Sequence, residues 1–313
     1  MSVLVFLEVT DNQIKKSSLE ALCYGRQLGG NVVALVAGNA GNLGDAGKYG
    51  ATSVLHIEDE RFNRPDAQAF AEALVQAAQA NGCSSIVMAK SAFSDSLTPK
   101  LAAQWKATAA TNVVSLPDAN GTVKRSIFTG KAFEFVRLTG ERKVFSVRKN
   151  AVEMSESPAA GTVTAFSANL SAKAFAIQAV STEKATGEVL LSDAEIVVSG
   201  GRGLKGPENW ALVTDMAKVL GAATGCSKPV SDLHWRPHHE HVGQTGIKVS
   251  PNLYFAIGIS GAIQHVAGIS SSKVIVAINK DPDAPIFKVA NYGIVGDAFD
   301  VVPKLTKALQ AAL

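Results

Sequence analysis

Two α/β domains are predicted: residues 1–188 with a mostly parallel sheet extended by antiparallel strands, and residues 189–313 with a doubly wound parallel sheet. Three observations predict this. Length is the first, because at about 150 residues per domain a chain of 313 suggests two, each large enough for its own core. Composition is the second: 47% apolar residues, 27 glycines and 6% aromatics describe an Ala/Val/Gly-rich chain and exclude disorder over most of it. Order is the third. Short β-branched runs alternate with amphipathic stretches, which implies parallel strands joined by right-handed crossovers.

In the first domain Val3 to Leu7 reads as a strand, Ile14 to Leu28 as a helix and Val32 to Val36 as a strand. A loop from His56 to Asp66 leads to a helix at Ala67 to Ala80, then to a buried strand at Ser85 to Met88 and a helix at Leu97 to Lys106. From Gly121 the pattern changes to alternation without helical spacing, at Val123 to Phe128, Ala132 to Leu138 and Lys143 to Val147. The last two flank a Thr-Gly-Glu-Arg turn, so all three are expected to form an antiparallel appendage. Glu153 to Ala194 is rich in Ser, Ala, Thr and Glu, with short apolar runs at Val163 to Phe166 and Phe175 to Val180. A linker is expected near Thr182 to Ser192. Beyond Glu195, strands at Ile196 to Val198, Leu253 to Ile259 and Val274 to Ile278 alternate with helices at Asn209 to Leu220, Ala262 to Ala267 and Phe299 to Ala312.

Charge and cysteine usage exclude several functions. Thirty basic against 27 acidic residues leave a net charge of +3 with no basic cluster, which argues against a nucleic-acid partner. Cys23, Cys83 and Cys226 are odd in number and widely spaced, so neither a disulfide framework nor a metal knuckle is expected. The first ten residues lack a basic n-region and Arg-rich transit character, and no run approaches the roughly 18 apolar residues of a membrane span. A bacterial-type cytoplasm is the expected location. His234, His238, His239 and His241, with Asp232 and Glu240, could chelate a divalent metal such as zinc, but Pro237 breaks helical spacing, no HExxH or Cys pair is present, and no metal is expected. Cys226 beside Lys228 reads as a packing residue rather than a reactive thiol, and Gly-Ile-Ser-Gly lacks the G-x-S-x-G of a hydrolase.

The informative residues follow the strands of the second domain. After Ile196 to Val198 comes Ser199-Gly200-Gly201-Arg202-Gly203, after Leu253 to Ile259 comes Ser260-Gly261-Ala262-Ile263-Gln264-His265, and after Val274 to Ile278 comes Asn279. In open parallel sheets ligands bind beyond the carboxyl ends of strands, so these turns are expected to share one crevice. Gly201, Gly203 and Gly206 match G-x-G-x-x-G ahead of a helix near Pro207, with Arg202 as a forked cation, which favours a phosphate site over a plain turn. A nicotinamide enzyme needs an acidic residue about 20 positions further on. Thr224-Gly225-Cys226-Ser227-Lys228 supplies none, and Ser227 with Lys228 suits a diphosphate or an electron-rich ring instead. Val242-Gly243-Gln244-Thr245-Gly246 offers an amide and a hydroxyl for ring heteroatoms, or forms an ordinary turn.

Leu253 to His265, followed by Gly268 and by Val274 to Asn279, closely resembles the signature of the α subunit of electron transfer flavoproteins. Ser199 to Leu204, Val242 to Gly246 and Lys280 to Phe287 resemble the same family in order, so the strong likeness covers about the last 120 residues. The resemblance implies a Rossmann-like FAD-binding second domain. It also implies an electron carrier rather than an enzyme, paired with a β subunit that holds AMP, taking electrons from acyl-CoA or other flavin dehydrogenases and passing them to a membrane quinone oxidoreductase. By motif, Arg202 and Ser227 would contact the diphosphate region and Gln244 and Thr245 would face the isoalloxazine, with Gly203, Lys228, Val242 and Gly243 also at the cofactor. Ser260, Gly261, Ala262, Ile263, Gln264 and His265 would line the cofactor, and Asn279, Asp297 and Ala298 would hold the adenosine side. His265 is the expected donor or cation for the charge that reduction places on the ring.

Two positions depart from the family pattern. Lys228 stands where many members carry Arg, with Arg236 as a substitute stacking cation, and Asn291 stands where Asp is commoner. Three rivals stay open at this level: an electron-bifurcating subunit of the same family, a free-standing flavin- or nucleotide-dependent oxidoreductase, and a nucleotide-binding regulatory module.

Overall fold

The computed structural model describes residues 2–130, 132–177, 180, 190–192 and 194–313. Contacts divide the chain into two compact units, Met1–Thr182 and Glu183–Leu313. The expected boundary after residue 188, and most of the expected linker, lie outside the described residues.

The first unit begins with β1 (Ser2–Phe6), a two-residue hairpin of β2 (Val9–Thr10) and β3 (Gln13–Ile14), and α1 (Lys16–Gln27). Asp11 and Asn12 take positive φ at the hairpin tip, the geometry that lets so short a turn follow the strand twist. β4 (Asn31–Ala37), the single turn α2 (Asp45–Lys48), β5 (Ser53–Ile57), α3 (Ala67–Ala80), β6 (Cys83–Ala89), α4 (Ala92–Trp105) and β7 (Thr108–Val113) follow. β8 (Thr122–Ile127), β9 (Ala132–Arg137), β10 (Lys143–Val147) and β11 (Thr162–Ala165) complete the unit. α3 matches its sequence pattern residue for residue: Asp66 accepts from Gln68 N and Ala69 N at 2.9 Å, and Ala69, Phe70, Ala73, Leu74 and Ala77 fill its buried face.

Nine strands form one sheet in the order β11-β5-β4-β1-β6-β10-β7-β8-β9. β8 and β9 pair antiparallel as expected of the appendage, and β7, which the sequence did not reveal, pairs antiparallel with β8, but β10 does not join them. It lies parallel between β6 and β7, Lys143 opposite both Ser85 and Thr108. The reason is burial on both faces: Val144, Phe145, Ser146 and Val147 are all at most 2% exposed, which suits a central parallel strand and not an edge hairpin. The 139–142 segment is therefore a crossover and not a hairpin turn. β5, whose last two residues overlap the expected His56 to Asp66 loop, and β7 are strands that the sequence reading did not mark, and β11 coincides with the apolar run noted at Val163 to Phe166.

The second unit contains β12 (Ile196–Gly200), α5 (Ala211–Leu220), β13 (Ala223–Cys226), α6 (Lys228–Asp232), β14 (Leu253–Ile257), α7 (Ile263–Ile269), β15 (Val274–Asn279), β16 (Tyr292–Val295) and α8 (Ala298–Ala312). Its five strands are all parallel, in the order β13-β12-β14-β15-β16. Alternate residues feed two cores on opposite faces, Val197, Tyr254, Ala256 and Ala277 on one and Val198, Phe255, Ile257 and Ile278 on the other. The chain starts at β12, adds β13 on one side and then returns to add β14 on the other. The switch point is thus between β12 and β14, the place where doubly wound sheets bind ligands. Among the described residues, no helix is long and apolar enough to cross a membrane.

Candidate functional site

Register brings the strand ends into one row, Gly200 standing opposite both Cys226 and Ile257, and Ile257 opposite Ile278. The turns beyond them are stitched to one another by backbone. Gly201 N donates to the Ile257 carbonyl at 2.8 Å, Gly203 N to Gly258 at 3.0 Å, Ser227 N to Gly200 at 3.1 Å and Gly258 N to Ile278 at 2.9 Å. This corrects the sequence reading of the glycine motif. The amides of Gly201 and Gly203 are spent inside the protein and are not offered to a phosphate. A Cβ on Gly201 would sit 2.2 Å from the Gly258 oxygen, so glycine is needed there for two turns to touch. Residues 207–209 form a short turn, and the helix proper starts only at Ala211.

The side chains left on this edge are polar and exposed. Arg202 and Lys228 supply cations, Gln244, Thr245, Ser260 and Gln264 supply amides and hydroxyls, and Gly203, Ala262 and Ile263 lie exposed among them. Lys228 holds Asp232 at 3.2 Å, one turn along α6, with both side chains 58% exposed. Ser227 is buried and opens α6. The 242–246 turn is tied back twice: Val242 N donates to the Cys226 carbonyl at 2.9 Å and Gln244 N to the Gln264 carbonyl at 2.7 Å. Gly268 lets α7 approach it closely, since a Cβ there would fall 2.6 Å from Gly243.

Further along the same edge, Asn279 uses both ends of its amide on the chain, donating to the Ile259 carbonyl at 3.0 Å and accepting from Asp281 N at 3.0 Å. Gly261, at φ +83°, lies against Ile286, whose N–H donates to Ser260 at 3.0 Å. Asp297 caps α8 by accepting from Phe299 N at 2.9 Å, and Ala298 is buried behind it. Asn291 accepts from Ile275 N at 2.8 Å, a bond its amide oxygen makes as a carboxylate would. The missing charge at that position therefore leaves the strand pairing intact.

Two expected cations are corrected. Arg236 forks onto Glu240, its Nε 2.9 and 3.1 Å from the carboxylate oxygens, and stands over the Trp210 ring at 5.5 Å. Glu240 is only 2% exposed and takes that guanidinium as its partner, so Arg236 does not replace the Arg absent at 228. His265 is 6% exposed, and burial pushes its pKa down to about 4, making it neutral at pH 7. Its Nε2 lies 3.0 Å from the Tyr254 hydroxyl. Burial also drives the Cys226 thiol up to about 12, with the Glu240 carboxylate adding to the shift. His241 is buried and lowered by desolvation, His238 and Lys228. Among the described residues no three His, Cys, Asp or Glu side chains gather to hold a metal ion. Sequence reasoning missed the contact of Tyr254 with His265 and the pairing of Arg236 with Glu240. Only the last had a signal, opposite charges four residues apart.

The family profile described as electron transfer flavoprotein domain matches residues 3–173, and that described as electron transfer flavoprotein FAD-binding domain matches residues 190–270. Curated proteins named electron transfer flavoprotein subunit alpha are similar along nearly their whole length. The one from Bacillus subtilis is 38% identical, covering 97% of this chain and 96% of its own. That from Syntrophomonas wolfei is 37% identical over 98% of both chains, and that from Paracoccus denitrificans 37% identical over 99% of this chain and 100% of its own. Two matched domains in the right order, a parallel second sheet with its polar turns on one edge, and relatives of equal length agree: the chain belongs to the electron transfer flavoprotein α-subunit family.

Proposed function

We propose that this chain is the FAD-carrying α subunit of a heterodimeric electron carrier of the cytoplasm. One observation supports it above others: exposed Arg202, Lys228, Gln244, Thr245, Ser260 and Gln264 share the carboxyl edge of a doubly wound sheet at its switch point. This donor set fits FAD. Arg202 and Lys228 would neutralise a diphosphate, and Gln244 and Thr245 would hydrogen-bond ring heteroatoms. Ser260 to Gln264 would line the ring, while Asn279, Asp297 and Ala298 would shape the adenosine end. When bound, FAD supplies the redox chemistry, taking electrons from one protein and delivering them to another. The chain's own contribution is to bind, orient and shield. The partners we assign are a β subunit holding AMP, acyl-CoA or other flavin dehydrogenases as donors, and a membrane quinone oxidoreductase as acceptor.

Co-expression with a β subunit tests this. A yellow complex of two subunits, with FAD released on denaturation, is the expected product; a colourless chain that purifies alone overturns it. Replacing Arg202 with Ala should weaken FAD retention by tenfold or more, since one charge-assisted hydrogen bond is worth about 1.5–3 kcal/mol.

A further inference from the structure

His241 stands at the root of the turn that carries Gln244 and Thr245, and it is only 2% exposed. Its backbone is pinned. The N–H donates to the His238 carbonyl at 3.0 Å, the carbonyl accepts from Ile247 N at 2.7 Å, and the residue pairs in parallel with Cys226 at the end of β13. The ring that grows from this anchor fills the inside of the turn. A Cβ on Gly246 would meet the His241 carbonyl and stand 2.7 Å from Nδ1 of the ring, while a Cβ on Gly243 would stand 3.1 Å from Nε2 and 3.3 Å from the Gln264 carbonyl. Neither glycine has a positive φ, so it is space and not backbone conformation that calls for glycine at these two positions. The glycines that bracket Gln244 and Thr245 are the points where the chain closes around an imidazole.

Nδ1 is buried and makes no hydrogen bond, so it acts on the turn by its bulk. The turn is tied elsewhere at one end only: Gln244 N donates to the Gln264 carbonyl at 2.7 Å, whereas Gly246 N donates within the turn, to the Gly243 carbonyl at 3.2 Å. A turn emptied of the ring is therefore free to move at its Thr245–Gly246 end. We propose that His241 is a positioning residue for the cofactor site: its ring is the former around which residues 243–246 are bent, and its bulk sets where Gln244 and Thr245 stand. The purpose rests on the FAD reading above; the packing of the turn on the ring does not.

The test uses the flavin-bearing heterodimer and three readouts: amide hydrogen exchange at Gly246, the rate of flavin release, and the visible circular dichroism of the flavin. In His241→Ala, Gly246 N–H exchange should quicken by about tenfold or more with Gln244 N–H little changed. Flavin release should quicken several-fold and the dichroism should change. Replacing His241 with 2-thienylalanine, a five-membered ring of similar shape without nitrogen, should restore all three to within about twofold. Met216→Ala, a core truncation on α5, should lower stability and leave Gly246 exchange and the dichroism as they were. Unchanged Gly246 exchange in His241→Ala, a thienylalanine protein that behaves like the alanine one, or an equal response to Met216→Ala overturns the proposal. Should the alanine variant fail to fold, His241→Asn keeps the root of the side chain and omits the outer ring; unchanged exchange there is equally fatal. Exchange that quickens while flavin release and dichroism stay put overturns the positioning role and leaves the FAD reading intact. A wild-type complex without flavin overturns the FAD reading, and the exchange rates still decide the packing.

Discussion

At the scale of single residues, contact distances and burial set the expectations. Gly201→Ala drives a Cβ into the Gly258 carbonyl, and the backbone must shift. Urea unfolding should show a loss of about 1–3 kcal/mol, as for other overpacked sites. His265 carries a pH signature. Its folded pKa of about 4 lies below the ordinary imidazole value of 6.5, so between those values the unfolded chain binds the extra proton. Stability is full above pH 6.5 and falls as pH drops toward 4, by up to roughly 3 kcal/mol from this group. His265→Gln should flatten that part of a stability-against-pH curve. Cys226, with its thiol near 12, should resist iodoacetamide at pH 8 in the native state and react once unfolded. The polar turns could be read from sequence because each directly follows an apolar strand. The pairing of Tyr254 with His265 could not. Eleven positions separate them, and only the packing of α7 over β14 makes them neighbours.

Elements tell a similar story with a different cause. α3 and the buried strands β1, β4, β6, β14 and β15 were legible because each has a run or period of apolar residues that matches its burial. β13 and β16 were not, the first being Ala-Thr-Gly-Cys and the second exposed along its length. β10 was found as a strand but placed wrongly, because local alternation carries no information about which distant strand it meets. Phe145→Ala in its centre should cost about 3–5 kcal/mol by denaturant titration. Phe135→Ala on the exposed edge strand β9 should stay within about 0.5 kcal/mol. Equal losses at the two positions would contradict the sheet order.

For the whole molecule, weak charge has a measurable meaning. Net charge is +3, and the ion pairs Lys48–Asp45, Arg61–Asp59 and Lys228–Asp232 lie at the surface, where water and salt screen them and little net stability results. Raising salt from low to moderate concentration should therefore leave the melting temperature nearly unchanged. The nine-stranded sheet bears on how the protein is made. A chain is synthesised from its N-terminus. Before Lys143 emerges, the strands already made fall into two separate pieces, β5-β4-β1-β6 and β7-β8-β9. Translation that pauses there leaves each piece with a raw hydrogen-bonding edge, open to pairing with a neighbouring nascent chain. Five residues close the two facing edges at once as Val147 emerges, and the outer edge of β5 waits for β11, so the vulnerable interval in this protein's biogenesis ends only with Ala165.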